Sequence, residues 1–298
     1  MRFSIIIPTY NRANLLSIAL KSALNQSYEG SYEIIVVDDG STDNTQEILK
    51  NWQKKELKLK IIFHEKNKGP AAARNTGIKN SKGEYLLFLD SDDELLPNTL
   101  KVFDEAIKKF PEGEVFIGRI IREDSKGRRK LAPVPVLTGD KMKDFLYFLK
   151  RKIPFSTGAF VVKRGIIEKI LFPEESRLRE DFFVYGYLIC MCKCYALKDC
   201  VIIVKDHPLR LRKEYKLLLK RSIKPVELLF KSLPKEFHIY YSFALSREYL
   251  SIFRSLYLIK EYKQAIQYYH KAIKIYPKNI FLFSYFQKYL KSLFKIFI

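Results

Sequence analysis

Four short apolar runs, each followed by a polar turn and a helical pattern, succeed one another within about the first hundred residues. The runs are Phe3 to Ile7, Tyr32 to Val37, Leu59 to Phe63 and Tyr85 to Leu89. Runs of this length that are apolar throughout are typical of strands buried on both faces by covering helices. The alternation therefore predicts an α/β fold built on a mostly parallel, doubly wound sheet.

Polar residues follow three of these runs at their carboxyl ends. The clusters are Pro8-Thr9-Tyr10-Asn11, Asp38-Asp39 and Asp90-Ser91-Asp92. Because ligand crevices of open α/β sheets lie at the carboxyl ends of the strands, the three clusters predict a ligand site there. The chain lacks both the G-x-G-x-x-G pattern after the first strand and the G-x-x-x-x-G-K-[ST] loop. Rossmann and P-loop nucleotide sites are therefore not expected.

The third cluster is acidic and extends to Asp93. Carboxylates this close repel one another, so they favour a divalent cation or an exposed turn. Hard ions such as Mg²⁺ and Mn²⁺ prefer oxygen ligands and commonly bridge to substrate phosphates. The cluster thus predicts a divalent metal site, and the alternative is a solvated acidic turn that caps the next helix.

Charge is distributed unevenly along the chain. The formal net charge is +21, and positions 208–298 contain 19 basic and 5 acidic residues. Such a basic segment favours an anionic partner such as lipid head groups, nucleic acid or a polyanion. We predict an α/β domain at 1–207 and a basic, aromatic-rich helical region at 208–298, the latter a helical hairpin packed on the former.

The cysteines and the termini indicate a reducing compartment. Cys190, Cys192, Cys194 and Cys200 cluster at intervals that do not match the usual paired zinc pattern, and we interpret them as small buried apolar residues. The apolar run at the N-terminus is too short for a signal peptide, and no run approaches the ~18 residues of a transmembrane helix. These patterns predict a cytoplasmic protein.

Four motifs together resemble the family 2 inverting glycosyltransferases. They are IIIPTYNR at 5–12, VVDDGSTD at 36–43, GPAAARN at 69–75 and FLDSDD at 88–93. Their order and spacing are similar to those of the family over about residues 2–207. The resemblance implies a GT-A fold with a nucleotide-sugar donor and a divalent metal.

The resemblance also implies roles for individual residues. Tyr10 would stack on the base, Asp39 would accept a hydrogen bond from it, and Arg74 would supply positive charge near the nucleotide unless it is a surface arginine. Asp92 would bind the metal directly, with Asp90 nearer the ribose or a metal-bound water. The full set implied for the nucleotide is Pro8, Thr9, Tyr10, Asp38, Asp39, Gly69, Arg74, Asp90 and Ser91.

A second acidic pair, Glu180-Asp181, resembles the E-D motif whose aspartate is the catalytic base of the family. Inversion requires one carboxylate to take the proton of the attacking hydroxyl. We predict Asp181 as this base with Glu180 in support, although an Asp at the start of an apolar helix is also a good N-cap. The chain lacks the Q-x-x-R-W motif of the processive members, so one sugar per encounter is expected.

Histidines are few, and one has a suggestive position. His207 follows the predicted strand Val201 to Val204, where many members carry a histidine near the metal or diphosphate. Imidazole is a reasonable ligand for Mn²⁺ and less so for Mg²⁺, while the alternative is a simple strand exit. We assign no role to His64, His238 or His270.

The last twenty residues predict a basic amphipathic helix. One face carries Ser284, Lys288, Lys291 and Lys295, and the other carries Leu282, Phe286, Tyr289, Leu293 and Phe297. Such a helix over 279–298 suits an anionic membrane surface, and the alternative is that its apolar face packs on its own domain. No nucleic-acid recognition motif is present, so no nucleic-acid partner is expected.

The family resemblance, taken with these patterns, implies a non-processive, metal-dependent, inverting glycosyltransferase that uses a UDP-sugar and a glycan or lipid-linked acceptor. It would act in cell-surface polysaccharide synthesis, peripherally at the cytoplasmic face of the membrane. Two alternatives remain. A sugar nucleotidyltransferase would release pyrophosphate, and a non-catalytic membrane-associated sugar-binding or scaffold protein would turn over no donor.

Overall fold

The computed structural model describes residues 1–176, 179–206 and 223–297. The chain divides into two compact units, Met1–His207 and Pro208–Ile298. The strands described in the first unit are β1 (Phe3–Thr9), β2 (Tyr32–Asp38), β3 (Leu59–Phe63), β4 (Tyr85–Phe88), β5 (Glu94–Leu95), β6 (Val115–Glu123), β7 (Arg129–Leu131), β8 (Phe160–Lys163) and β9 (Cys194–Lys205). The helices are α1 (Leu16–Leu24), α2 (Thr45–Gln53), α3 (Pro70–Lys79), α4 (Thr99–Lys109), α5 (Lys141–Leu149), α6 (Arg164–Ile170) and α7 (Glu180–Met191).

The strands form one sheet in the order β3-β2-β1-β4-β8-β6-β9-β5, with β7 paired to β6. The first four strands are parallel, as the alternating pattern predicted. Beyond β4 the sheet is mixed, since β8 is antiparallel to both of its neighbours whereas β6 and β9 are parallel. The sequence pattern did not predict these strand directions, because the motifs become sparse after Pro111.

The parallel half of the sheet creates the crevice. Every residue of β1 and β4 is buried, as expected for strands covered on both faces. Chain order reverses beside β1, because β2 and β3 extend the sheet on one side while β4 pairs on the other. Ligand sites of open α/β sheets lie at such reversals. The turns that follow β1 and β4 are therefore neighbours.

Helix α3 is held close against this half of the sheet. A Cβ atom on Gly77 would lie 2.3 Å from Cγ2 of Ile6 on β1, so only glycine fits without displacement. The helix follows β3, and its N-terminal turns consequently start at the carboxyl edge of the sheet. Residues of those turns are thereby positioned beside the crevice.

The described part of the second unit is helical. It contains α8 (Lys224–Ser232), α9 (Tyr241–Leu258), α10 (Tyr262–Ile275) and α11 (Phe283–Phe297), with short 3₁₀ turns at Lys235–Tyr240 and Pro277–Phe281. Helices α9 and α10 form a hairpin whose interior includes Phe253, Ala265 and Tyr269. No helix within the described residues is long and apolar enough to cross a bilayer.

Helix α11 packs its predicted apolar face on this hairpin. Leu282, Phe286 and Tyr289 lie half-buried against the helical core. The ring of Tyr289 stacks on that of Tyr269 with centroids 4.4 Å apart. The face that the sequence suggested for a membrane surface is therefore occupied within the helical unit itself. The side chain of Phe297 lies outside the described residues.

All four cysteines are free thiols. Cys190 and Cys192 are buried, which confirms for these two residues the interpretation as small apolar side chains. Burial raises the pKa of the Cys192 thiol to about 12.

Candidate active site

The turns after β1 and β2 are joined by hydrogen bonds. The side-chain oxygen of Asn11 accepts a hydrogen bond from the backbone of Thr42 at 2.8 Å, and the Asn11 N–H donates to Ser41 Oγ at 2.9 Å. Pro8 and Thr9 are buried beneath this junction. Tyr10 is 41% exposed at its rim. The arrangement leaves an aromatic ring accessible on a well-supported edge.

The two adjacent aspartates after β2 have different surroundings. Asp38 is fully buried, and its carboxylate binds its own turn by accepting hydrogen bonds from the backbone and hydroxyl of Ser41 and from the amide of Gln46. Gly40 has a φ of +73°, and a Cβ there would lie 2.7 Å from the backbone of Lys66. Asp38 thus shapes the turn, and its contact with a nucleotide stays a prediction.

Asp39 joins the turn after β2 to the start of α3. Its carboxylate accepts hydrogen bonds from the backbone N–H groups of Lys68 at 3.0 Å and Gly69 at 2.7 Å. Its Oδ1 also lies 2.7 Å from Nδ1 of His64. Because a carboxylate offers about four acceptor positions, one remains on Oδ2 for a further donor such as a nucleobase N–H.

His64 belongs to this site and was missed by the sequence prediction. Its Nε2 lies 2.9 Å from Oγ1 of Thr76 on α3, opposite the contact of Nδ1 with Asp39. A carboxylate can only accept, so these partners favour the tautomer in which Nδ1 carries the proton. The signal was present in the sequence, because His64 directly follows β3 and lies at the same edge as the other polar clusters.

The acidic turn after β4 has the donor set of a cation site. Asp90, Asp92 and Asp93 offer carboxylate oxygens that all lie within 4.8 Å of one another. Three oxygen donors at this spacing fit a hard divalent ion. Asp93 is buried and accepts a hydrogen bond from the Lys205 backbone at 3.0 Å, which ties the turn to the end of β9. The N-cap of α4 is Asn98, so the acidic turn does not cap that helix.

One other predicted residue belongs to this region. Ser91 is buried between the acidic residues. His207 follows β9 in the sequence and lies outside the described residues, so its role as a metal ligand stays a prediction.

Arg74 on α3 connects the acidic turn to α7. Its Nη2 donates to Asp90 at 2.9 Å and its Nη1 donates to Glu180 at 2.6 Å. The side chain is buried, with the guanidinium 5.2 Å from the ring centroid of Phe172. Burial alone would lower the pKa of Arg74, but the two carboxylates raise it above its usual value. Arg74 is therefore a buried cation between two motifs, not a surface residue.

The second acidic pair lies at the start of α7. Arg179 is the N-cap residue and has a φ of 63°, so Asp181 occupies the second helical position. The alternative that Asp181 caps the helix is therefore wrong. Asp181 is half-buried, whereas Glu180 is buried. Burial raises the pKa of the Glu180 carboxyl, and the positive charge of Arg74 opposes that shift.

Tyr185 lies one helical turn after Asp181 and is also close to the acidic turn. Its hydroxyl is buried without a hydrogen-bond partner among the described residues. Burial raises the pKa of this phenol well above its usual value, and the charges of Asp181 and Asp90 raise it further. The Tyr185 side chain therefore interacts electrostatically with both Asp181, the predicted base, and Asp90 in the acidic turn. The sequence prediction did not single out this residue.

Asn75, the neighbour of Arg74, holds the segment that leads towards α7. Its amide donates to the Phe172 carbonyl and to the Glu174 carboxylate, each at 2.9 Å, and its oxygen accepts from the Phe172 N–H at 2.8 Å. Two consecutive residues of α3 thus bind two separate parts of the later chain. The motif that contains them was recognised, but this role of Asn75 was not.

Helix α3 assembles the site. Gly69 at its start binds Asp39, and Arg74, about 7 Å further along the helix axis, binds Asp90 and Glu180. The arrangement provides an acceptor for a base, carboxylates for a cation and a half-buried aspartate that can receive a proton.

Comparison with known proteins gives a consistent result. A sequence model described as Glycosyl transferase family 2 matches residues 4–171. A Haemophilus influenzae protein described as an uncharacterized glycosyltransferase is 30% identical over 269 residues, or 89% of this chain and 97% of that protein. A GalNAc(5)-diNAcBac-PP-undecaprenol beta-1,3-glucosyltransferase of Campylobacter jejuni is 34% identical over 180 residues, or 58% of this chain and 55% of that protein.

Other relatives are much longer than the matched region. An uncharacterized glycosyltransferase of Rickettsia bellii is 36% identical over 183 residues, which are 60% of this chain but 25% of that protein. The crystal structure of Staphylococcus aureus TarS 1–349 in complex with UDP has a TM-score of 0.63 and 23% identity, covering 98% of this chain and 89% of that one. At this identity the likeness concerns the fold.

Proposed function

The chain belongs to glycosyl transferase family 2 and has a GT-A-like α/β fold, and we propose that it is a non-processive, inverting glycosyltransferase that uses a UDP-sugar. The observation that carries the proposal is the pair of hydrogen bonds from Arg74 to Asp90 and Glu180. These bonds hold the acidic turn after β4 in a defined position relative to the start of α7, the helix that bears Asp181.

The nucleotide would bind at the turns after β1 and β2. Tyr10 is exposed and can stack on the base, while the remaining acceptor position of Asp39 suits the N–H of uracil. Gly69 has a φ of +97°, which favours glycine, and the space beside it is open, because a Cβ there would meet nothing within 4 Å. TarS of Staphylococcus aureus has been crystallised in complex with UDP and with UDP-GlcNAc, which supports UDP as the carrier.

The acidic turn would hold Mn²⁺ or Mg²⁺ through Asp92 and Asp90, with His207 as a further proposed ligand. The carboxylate oxygens of Asp90 and Asp92 are close enough to share one ion. When bound, such a cation supplies positive charge to the departing diphosphate. The hydrogen bond from the Lys205 backbone to Asp93 ties this turn to the end of β9.

Asp181 would act as the base. It takes the proton of the acceptor hydroxyl while that oxygen forms a bond to the anomeric carbon and the bond from this carbon to the diphosphate breaks. The glycoside and UDP leave, and the protonated Asp181 returns its proton to solvent. Attack opposite to the leaving group inverts the anomeric carbon. The lack of a Q-x-x-R-W motif supports transfer of one sugar per encounter.

The acceptor would be a glycan or a lipid-linked precursor in cell-surface polysaccharide synthesis. The Campylobacter jejuni relative is named for an acceptor linked to undecaprenol through a diphosphate. A Bacillus spizizenii relative is named for the acceptor poly(ribitol-phosphate). The first name favours a lipid-linked acceptor that is held in a membrane, and the second favours a polyanionic polymer. We accordingly place the enzyme peripherally at the cytoplasmic face.

A thermal-shift screen of nucleotide sugars with and without Mn²⁺, followed by transfer assays with the stabilising donors, tests the proposal. We expect a UDP-sugar to stabilise the protein in the presence of the metal and to yield UDP on transfer. Release of pyrophosphate from UTP and a sugar 1-phosphate, assayed in parallel, would instead identify a sugar nucleotidyltransferase. Donor binding without turnover across a panel of acceptors would identify a non-catalytic sugar-binding or scaffold protein, and either result would overturn the proposal.

A further inference from the structure

Helix α11 carries a row of apolar side chains on a side that its own unit does not cover. Phe283 and Phe294 are each 69% exposed, and Leu290 is 39% exposed. At spacings of seven and four residues they lie on one side of the helix and form a ridge roughly 16 Å long. We call these three residues the apolar ridge. Phe281, in the turn before the helix, is 85% exposed and leads into it.

The apolar ridge differs from the face that packs on the hairpin. Tyr285, Phe286 and Tyr289 contact the helical core, and Ser292 is buried on the same side. These residues account for the burial of α11 within its unit. Large apolar side chains that remain exposed together on a helix, in addition to a packed face, indicate a surface that contacts a membrane or another protein.

Lysines border the apolar ridge. Lys288, Lys291 and Lys295 follow one another along α11 and lie roughly a quarter to two fifths of a turn around the helix from the ridge. From Tyr262 to Ile298 the chain has seven lysines and no acidic residue. A surface of one sign beside exposed aromatic rings is complementary to anionic lipid head groups above an acyl layer.

We propose that the apolar ridge docks on an anionic bilayer, with α11 lying in the plane of the membrane. The phenylalanine rings would enter the interface while the lysine ammonium groups reach back to the head groups. A self-complementary contact between two copies fits less well, because it would bring two lysine rows together without acids between them. The inference deepens the membrane placement proposed above and is independent of the sugar chemistry.

Sedimentation with vesicles tests this assignment on the full chain without any donor or metal. The protein should bind vesicles that contain phosphatidylglycerol and should bind pure phosphatidylcholine much more weakly. Phe283→Ser combined with Phe294→Ser should lower the partition coefficient roughly tenfold or more. The reason is that the variant lacks two large apolar side chains whose transfer from water into the bilayer interface favours binding. Lys291→Gln combined with Lys295→Gln should lower it about fivefold per lysine on anionic vesicles.

Matched controls lie in the first unit. Leu57→Ser removes an exposed apolar side chain, and Lys54→Gln with Lys55→Gln removes two exposed charges. These variants should bind as the unmodified protein does, and all variants should keep its melting temperature. No binding to anionic vesicles, or ridge variants that bind within twofold of the controls, would overturn the proposal. So would ridge variants that only dissociate a dimer in light scattering, because the ridge would then be an interface between copies.

Discussion

Arg74 on α3 donates a 2.6 Å hydrogen bond to Glu180 on α7, and the two residues are 106 positions apart in the chain. The same guanidinium binds Asp90 in the acidic turn. A single buried cation therefore sets the distance between the proposed metal turn and the helix that carries the proposed base. Changes at Arg74 should alter both halves of the site together.

Replacing Arg74 by Met should strongly destabilise the protein. The substitution leaves Glu180 buried without its cation, and breaking a buried pair in this way costs about 3–5 kcal/mol. Arg128→Met is the matched control, because Arg128 pairs with Asp124 on the surface, where such pairs contribute about 1 kcal/mol or less. Urea denaturation of both variants gives the comparison. Equal costs would show that the Arg74 contacts do not stabilise the fold.

Glu180 should make stability depend on pH. Burial raises the pKa of its carboxyl, so above about pH 4.5 the folded chain holds a proton that the unfolded chain has released. Stability from this group is consequently lost as pH rises through the folded pKa. As pH rises from about 4.5, the unfolding free energy of the unmodified protein should fall relative to that of Glu180→Gln. A relative gain over this range would contradict the direction of the shift.

Replacing Asp181 by Asn should abolish transfer but preserve donor binding. The amide cannot take the proton of the acceptor, and loss of general base catalysis typically costs about 10²–10⁴-fold in rate. Asp199→Asn, at an exposed position, should keep full activity. Turnover and UDP affinity are measured for both variants. Full activity of Asp181→Asn would remove Asp181 from the role of base.

Replacing Asp92 by Ala should remove the metal dependence of nucleotide binding. The remaining carboxylates of the acidic turn, at Asp90 and Asp93, leave a poorer donor set. Titration calorimetry with UDP in the presence and absence of Mn²⁺ reports the effect directly. Asp124→Ala, which changes an exposed carboxylate outside the turn, serves as the control. A response to Mn²⁺ equal to that of the control would place the ion elsewhere.

Replacing His64 by Ala should weaken UDP binding and lower stability. Asp39 loses a hydrogen-bond partner, and such bonds to charged groups contribute about 1.5–3 kcal/mol. His64→Asn should recover part of both effects, because its amide nitrogen can stand where Nδ1 donates. His270→Ala, which removes an exposed contact with Tyr289, is the control. If His64→Ala and His270→Ala behave alike, His64 has no part in holding Asp39.

The sequence by itself determined the parallel half of the fold and the edge that carries the site. Short continuous apolar runs such as Tyr85 to Leu89, alternating with helical patterns, are typical of strands buried on both faces, and a polar residue directly after such a strand lies at its carboxyl end. Both inferences use neighbours in the chain alone. His64 shows that the same rule would have found one more residue.

Only the tertiary structure decided which of these residues meet. Asp38 and Asp39 are adjacent and chemically identical, yet one closes its own turn and the other binds the start of α3. The exposed side of α11 was likewise decided by packing, since Phe286 and Phe294 differ in burial but not in chemistry. The physical reason is that burial and hydrogen bonding depend on contacts between distant segments, and the periodicity of one segment does not specify its partner.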